Sequence, residues 1–130
     1  IRDLSLEDHV RLLGFVPDGD LPTAYRAADL SVMPTQALEG FGLSAVESLA
    51  AGTPVTVTPV GGLPSIVSNL CPKLIFDGLD DTAIAERLSS ILLKETGVPD
   101  AATCTAYATQ YYSWSTVASR TRSIYSQLLT

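Results

Sequence analysis

One stretch of the sequence, from Glu39 to Glu47, constrains the possible folds and functions of the chain more than any other. It passes through two glycines, Gly40 and Gly42, and then continues into residues that favour a helix. Glycine adopts backbone angles that other residues resist, so a loop rich in glycine can approach a ligand closely. The first amides of a helix lack partners within the helix, and together with the helix dipole they bind anions such as phosphate. The stretch therefore predicts an anion site at a helix N-terminus.

Two carboxylates flank this predicted helix start. Glu47 is expected one turn into the helix, beside an apolar stripe formed by Leu43, Val46 and Ala50. A carboxylate at the edge of an apolar face needs a partner, and either a ligand hydroxyl or a backbone amide would serve. Glu39 lies in the preceding loop and can point into the same space. On the residues alone, a solvated loop glutamate and an ordinary glycine turn are equally open interpretations.

The remainder of the chain alternates between strand and helix patterns. Apolar runs predict four strands, at residues 10–15, 29–33, 54–58 and 73–76. Helical periodicity and capping residues predict helices at residues 20–28, 43–51, 64–69, 80–94, 100–112 and 115–129. This order predicts an α/β fold with a Rossmann-like, mostly parallel sheet of about four strands and flanking helices. The loops that follow the first three strands are expected to line one cleft, because ligands bind beyond the carboxyl ends of such strands.

Length and composition narrow the class of protein. The chain has 130 residues, of which 46% are apolar, and it contains no internal repeat or linker, so residues 1–130 are expected to form a single domain. No apolar run approaches the length of a membrane span and no signal peptide is visible, which favours the cytoplasm. A net charge of −6 argues against nucleic acid or an anionic membrane as the main partner. Membrane association is expected only through regions outside this chain.

The residues most often used for metals and redox chemistry are few. Cys71 and Cys104 do not have the spacing of metal ligands, so the cysteines predict no metal site. Free thiols in a cytosolic protein are the simpler interpretation, and a disulfide is left open. Trp114, next to Tyr111 and Tyr112, is predicted to pack in the core in preference to forming a platform for sugar stacking.

The sequence of residues 39–57, EGFGLSAVESLAAGTPVTV, resembles the signature of retaining glycosyltransferases of the GT-B fold, family 4 type. That signature has two glutamates separated by seven residues, with Gly-Phe-Gly after the first. Residues 61–64, Gly-Gly-Leu-Pro, are similar to the glycine loop that follows it in the family. Residues 10–17, 25–29 and 112–115 also match the family, so the resemblance covers nearly the whole chain in the right order.

The resemblance implies which part of such an enzyme this chain represents. With fewer βα units than the family's C-terminal domain, it is expected to be the later part of that nucleotide-sugar-binding domain, with the N-terminal acceptor domain absent. The family's diphosphate-binding arginine and lysine lie upstream of this region. The chain's own N-terminal domain is an expected partner. Without it, apolar residues of the last helix, such as Ile124 and Leu128, would promote self-association.

The resemblance also implies roles for individual residues. Glu39 is the catalytic candidate, which would contact hydroxyls of the donor sugar, and Glu47 would accept hydrogen bonds from the ribose of the nucleotide. Backbone groups that hold the sugar and phosphate are implied at Gly40, Phe41, Gly42, Leu43 and Ser44. A nucleobase-facing loop is implied at Val16 and Pro17, and the second glycine loop at Gly61 and Gly62.

The implied reaction moves a sugar from a UDP-, GDP- or ADP-linked donor to an acceptor, with retention at the anomeric carbon and without a metal or cofactor. The isolated chain is expected to be inactive. Two alternatives share the architecture: a GT-B-fold nucleotide-sugar epimerase and a non-catalytic Rossmann-like binding module. Gly-Phe-Gly-Leu after Glu39 favours the transferase. One departure from the family is Ser65, where a glutamate is common after the second glycine loop.

Overall fold

Two short parallel strands lie at the centre of the computed structural model, which describes residues 1–93 and 97–129. Strand β1 is Ser31–Met33 and strand β2 is Val55–Val57. The strands pair in parallel with Ser31 opposite Val55 and Met33 opposite Val57. β2 is buried along its whole length, as expected for a parallel strand that is covered on both faces.

The described part of the chain contains six α-helices. They are α1 (Leu21–Arg26), α2 (Leu43–Ala51), α3 (Leu63–Val67), α4 (Asp81–Leu93), α5 (Ala101–Tyr112) and α6 (Trp114–Leu128), with 3₁₀ turns at Arg2–Leu4 and Pro72–Leu74. The predicted helices are thus found with small shifts in their bounds. Lys94, the last residue of the predicted helix 80–94, lies outside the described residues.

The predicted sheet of about four strands is wrong, since the described residues contain two. Residues 10–15, predicted as a strand, pair with neither β1 nor β2. Leu12, Leu13 and Phe15 are largely exposed, Phe15 at 88%. A strand needs a neighbour to accept its hydrogen bonds and a packed face to bury its side chains. An apolar run without either stays irregular.

Residues 73–76 also depart from the predicted strand. Pro72 starts the 3₁₀ turn Pro72–Leu74, and the chain extends only after it. A single parallel bridge then joins Ile75 to Val57, and the amide of Phe76 donates to the Val57 carbonyl at 2.8 Å. The segment therefore touches the sheet edge beyond β2 without becoming a third strand.

The hydrophobic core lies between β2 and three helices. Most of its fully buried side chains come from α2, β2 and α3, and include Leu49, Val55, Val57, Leu63 and Ile66. Burying a side chain of this size contributes about 1.5–3 kcal/mol. On the other side α2 packs against α5, where Gly52 approaches Ala101 and allows close contact at the end of α2. The core thus fixes the position of α2, which begins within the Glu39–Glu47 stretch and carries Glu47.

Helix α6 lies at the periphery and has no buried residue. Trp114 is 88% exposed, so the prediction that it packs in the core is wrong. The tryptophan starts a helix that packs along α5, and Ser113 caps that helix by accepting a hydrogen bond from the Thr116 amide. Ile124 and Leu128 are exposed, as expected, while self-association stays a prediction.

Both cysteines are free and buried. Burial, and then the charge of Asp100, raises the pKa of the Cys104 thiol to about 11, so this thiol is neutral at physiological pH. Among the described residues, no helix combines the length and apolar character that crossing a membrane would require.

Candidate functional site

The two glycine loops predicted from the sequence lie against each other at one edge of the sheet. Each loop follows the carboxyl end of a parallel strand, the first after β1 and the second after β2. The Thr58 hydroxyl connects the beginnings of the two loops by donating a hydrogen bond to the Thr35 carbonyl at 2.5 Å. The two loops therefore lie against each other at the carboxyl ends of β1 and β2, while a cleft lined by all three loops stays a prediction. The loop after residue 15 is not positioned by a strand.

The glycines of the second loop allow this contact. Gly61 has a φ of +54°, and a Cβ atom built on it would overlap the carbonyl group of Glu39. A Cβ atom on Gly62 would lie 2.7 Å from the Gly40 carbonyl oxygen. Both positions exclude a side chain unless the backbone of the first loop moves. Gly61 and Gly62 therefore set the position of the Glu39 backbone.

Gly42 connects the first loop to α2. It is the N-cap residue, with a φ of +94° that favours glycine. A Cβ atom on it would lie 2.6 Å from Cδ2 of Leu63 and 2.9 Å from Cδ1 of Ile66. The start of α2 thus sits tightly on α3, which fixes the direction of its first amides.

The amides of Leu43 and Ser44 point out of the helix start without an acceptor among the described residues. The next two amides, of Ala45 and Val46, both donate to the Gly42 carbonyl, at 3.0 and 3.3 Å. No side chain caps this N-terminus. Free amides at the positive end of a helix dipole can bind an anion.

Glu39 lies in the loop just before these amides. Its side chain is half-buried, and the described residues offer its carboxylate no hydrogen bond or ion pair. The preceding residue, Leu38, has a φ of +62° although it is not a glycine. Such a conformation costs of the order of 1–3 kcal/mol and is found often at functional sites. The strained backbone brings Glu39 to the Gly61 contact.

Glu47 lies on another side of the same helix start, at a groove of about 580 Å³ between α1 and α2. Its Oε2 accepts a hydrogen bond from the Tyr25 hydroxyl at 3.3 Å. Burial, and then the charge of Glu47, raises the pKa of Tyr25, while a hydrogen bond with Ser44 lowers it. The residues that line the groove are Asp18, Leu21, Pro22, Tyr25, Arg26, Glu47, Ala50 and Ala51.

Sequence reasoning missed Tyr25, Asp18 and Arg26 as members of this groove. One signal was available: Tyr25 follows Leu21 by four residues, so the two share the face of α1 that meets α2. The predicted nucleobase-facing residues lie beside the groove. The Pro17 carbonyl accepts hydrogen bonds from the amides of Asp20 and Leu21 at the start of α1, and Val16 is half-buried. Their contact with a base stays a prediction.

The structure thus groups the predicted residues into two neighbouring sets around the start of α2. The first contains the Glu39 loop, the free amides and the second glycine loop, and the second is the Glu47 groove. Within the described residues, no three or more side chains of His, Cys, Asp or Glu are arranged to hold a metal ion. The arrangement offers free amides beside two carboxylates that can accept hydrogen bonds from hydroxyl groups.

Known proteins match the chain along most of its length. Residues 1–111 match the family described as "Glycosyl transferases group 1". Mannosylfructose-phosphate synthase from Agrobacterium fabrum is 48% identical over 80 residues, which cover 62% of this chain and 17% of that protein. D-inositol 3-phosphate glycosyltransferase from Thermobispora bispora is 37% identical over 131 residues, 98% of this chain and 29% of that protein.

A solved structure is similar as well. Sucrose-phosphate synthase from Thermosynechococcus elongatus superposes with a TM-score of 0.82 at 29% identity, over 98% of this chain and 32% of that one. These similarities support a glycosyltransferase fragment of GT-B type. The chain spans less than a third of the length of each of these three proteins.

Proposed function

We propose that this chain, which belongs to the glycosyl transferases group 1 family, forms the donor-binding part of a retaining, family 4-type glycosyltransferase. The reaction would move a hexose from a UDP-, GDP- or ADP-linked donor to an acceptor. It requires a longer protein, because the chain is the later part of the GT-B C-terminal domain and its own N-terminal domain supplies the acceptor site. The cytoplasm stays the expected location.

The observation that carries this proposal is the start of α2. The amides of Leu43 and Ser44 are free, and Gly42 fixes their direction. A nucleoside diphosphate leaving group gains negative charge as the bond to the sugar breaks. Hydrogen-bond donors that are already oriented toward that charge stabilise the transition state more than the ground state.

The two carboxylates bind different parts of the nucleotide sugar. Glu47, which is exposed at the groove, accepts hydrogen bonds from the ribose hydroxyls, since one carboxylate can bind two adjacent hydroxyls. Glu39, whose carboxylate has no partner among the described residues, contacts the hydroxyls of the donor sugar. The free amides between Glu39 and Glu47 bind the phosphates.

Charge explains why the chain would not act alone. Its net charge of −6 opposes the binding of a diphosphate. Arg26 is the cation among the residues that line the groove. Further positive charge would come from the preceding part of the longer protein.

Transfer is favoured over the two alternatives. The matched relatives carry the names of synthases and a glycosyltransferase, which supports sugar transfer over epimerisation. A non-catalytic module has no need to keep a half-buried carboxylate on a strained loop. The position of Glu39 therefore supports a catalytic site.

Glu47→Gln tests the nucleotide assignment. In the full-length protein, the substitution is expected to weaken binding of the preferred nucleoside diphosphate about 10- to 100-fold, because a charged acceptor for the ribose hydroxyls is lost. Calorimetric titration with UDP, GDP and ADP measures this. Glu86→Gln, an exposed carboxylate on α4, is the matched control and should leave the affinity unchanged. Unchanged affinity in Glu47→Gln would remove Glu47 from the site.

A further inference from the structure

We propose that Tyr25 is a positioning residue, which orients the Glu47 carboxylate toward the ribose of the donor nucleotide. The proposal rests on the function proposed above and adds a residue from outside the glutamate motif. Tyr25 lies on α1, 22 positions before Glu47, and the two side chains meet across the groove.

The contact involves the first turn and a half of α2. The Tyr25 hydroxyl donates to Oε2 of Glu47 at 3.3 Å, and it also interacts with the Ser44 side chain. The described residues give Oε1 of Glu47 no partner. A carboxylate has acceptor sites on both oxygens, so the bond to Tyr25 leaves Oε1 available for a pair of adjacent hydroxyls.

A buried chain of hydrogen-bonded hydroxyl groups fixes the backbone of Tyr25. The Thr53 hydroxyl donates to the Tyr25 carbonyl at 2.7 Å, and Thr53 is only 2% exposed. The Ser48 hydroxyl is hydrogen-bonded with the Thr53 carbonyl at 2.9 Å and with the Ser31 hydroxyl at 2.8 Å. Buried polar groups need partners, so this chain has little freedom to rearrange.

The buried chain connects β1, α2, the turn that follows α2 and, at Tyr25, helix α1. It therefore fixes α1 relative to α2 at the point where Tyr25 meets Glu47. The sheet thereby positions an exposed carboxylate through a half-buried tyrosine.

The hydrogen bond matters more for binding than for stability. Glu47 is exposed, so water competes for its carboxylate and the bond adds little to the free energy of unfolding. An unrestrained glutamate would lose side-chain entropy on binding a ligand. A carboxylate already held by Tyr25 loses less. Burial and the charge of Glu47 raise the pKa of Tyr25, so its hydroxyl keeps the proton it donates.

Tyr25→Phe removes the hydroxyl and keeps the ring. In the full-length protein, we expect it to weaken binding of the preferred nucleoside diphosphate among UDP, GDP and ADP about 3- to 10-fold. Binding of the 2′,3′-dideoxy analogue of the same nucleotide should change by less than about twofold, because that ligand offers Glu47 no hydroxyl. Tyr125→Phe, on the exposed surface of α6, is the matched control and should change neither affinity.

A double-substitution cycle tests whether Tyr25 acts through Glu47. Adding Tyr25→Phe to Glu47→Gln should cause no further loss, because the residue to be positioned is already altered. Equal weakening of the ribose and dideoxy ligands would overturn the proposal and show a structural role. So would unchanged binding by Tyr25→Phe when Glu47→Gln weakens binding, an outcome that leaves the proposed function intact. A wild-type protein that binds none of the nucleotides would overturn both.

Discussion

Replacing Gly61 with alanine is expected to lower sugar transfer by at least about 100-fold, because a displacement of about 1 Å in a catalytic arrangement has an effect of that size. The new Cβ atom would overlap the Glu39 carbonyl, which is backbone and cannot rotate away. The left-handed conformation at a φ of +54° would also cost an alanine about 1–2 kcal/mol of conformational free energy. The substitution therefore moves Glu39 and lowers the free energy of unfolding together.

Initial rates with the nucleotide-sugar donor and the thermal midpoint of the full-length protein measure the two effects. Gly19→Ala is the matched control, since a Cβ atom added there would meet no other atom within 4 Å and the φ of Gly19 is not positive. We expect that variant to keep wild-type transfer and stability. Wild-type transfer by Gly61→Ala would contradict the close contact between the two glycine loops.

Replacing Glu39 with glutamine is expected to lower kcat by about 100- to 1,000-fold, the range typical of removing one preorganised polar group that stabilises a transition state. The affinity for the nucleoside diphosphate without its sugar should stay close to the wild-type value. The reason is that Glu39 is assigned to the donor sugar, whereas Glu47 is assigned to the ribose. The two glutamates should thus show opposite patterns of rate and affinity.

Steady-state kinetics and calorimetry on the same preparations separate these patterns. Glu7→Gln, an exposed carboxylate near the 3₁₀ turn Arg2–Leu4, is the control and should leave both quantities unchanged. If Glu39→Gln transfers sugar at the wild-type rate, Glu39 has no catalytic role. If it instead loses affinity for the nucleotide alone, the assignments of the two glutamates need to be revised.

Local signals predicted α2 well. The helix runs from Leu43 to Ala51, as expected, and glycines with a φ of +94° stand at both of its ends, Gly42 and Gly52. These glycine signals act within a few residues of the helix terminus, so the sequence alone reveals them. The free amides at the start of α2 follow from the same local geometry.

Contacts between distant parts of the chain were harder to predict. A strand at residues 10–15 would need a neighbouring strand, which apolar character alone does not specify. Pro72 begins a 3₁₀ turn, so residues 73–76 make a single bridge to the sheet and not a full strand. The sequence suggested two glycine loops, but not that Gly61 touches the Glu39 backbone. The bond between Tyr25 and Glu47 spans 22 positions, and only the packing of α1 on α2 reveals it.

The most direct test of the donor site is amide hydrogen exchange in the full-length protein, with and without a saturating nucleoside diphosphate chosen by calorimetry. We predict slower exchange at residues 40–47 and 61–63, where free amides and the glycine loops would meet the ligand. Unchanged exchange in both segments at saturation would contradict the placement of the donor site at the start of α2.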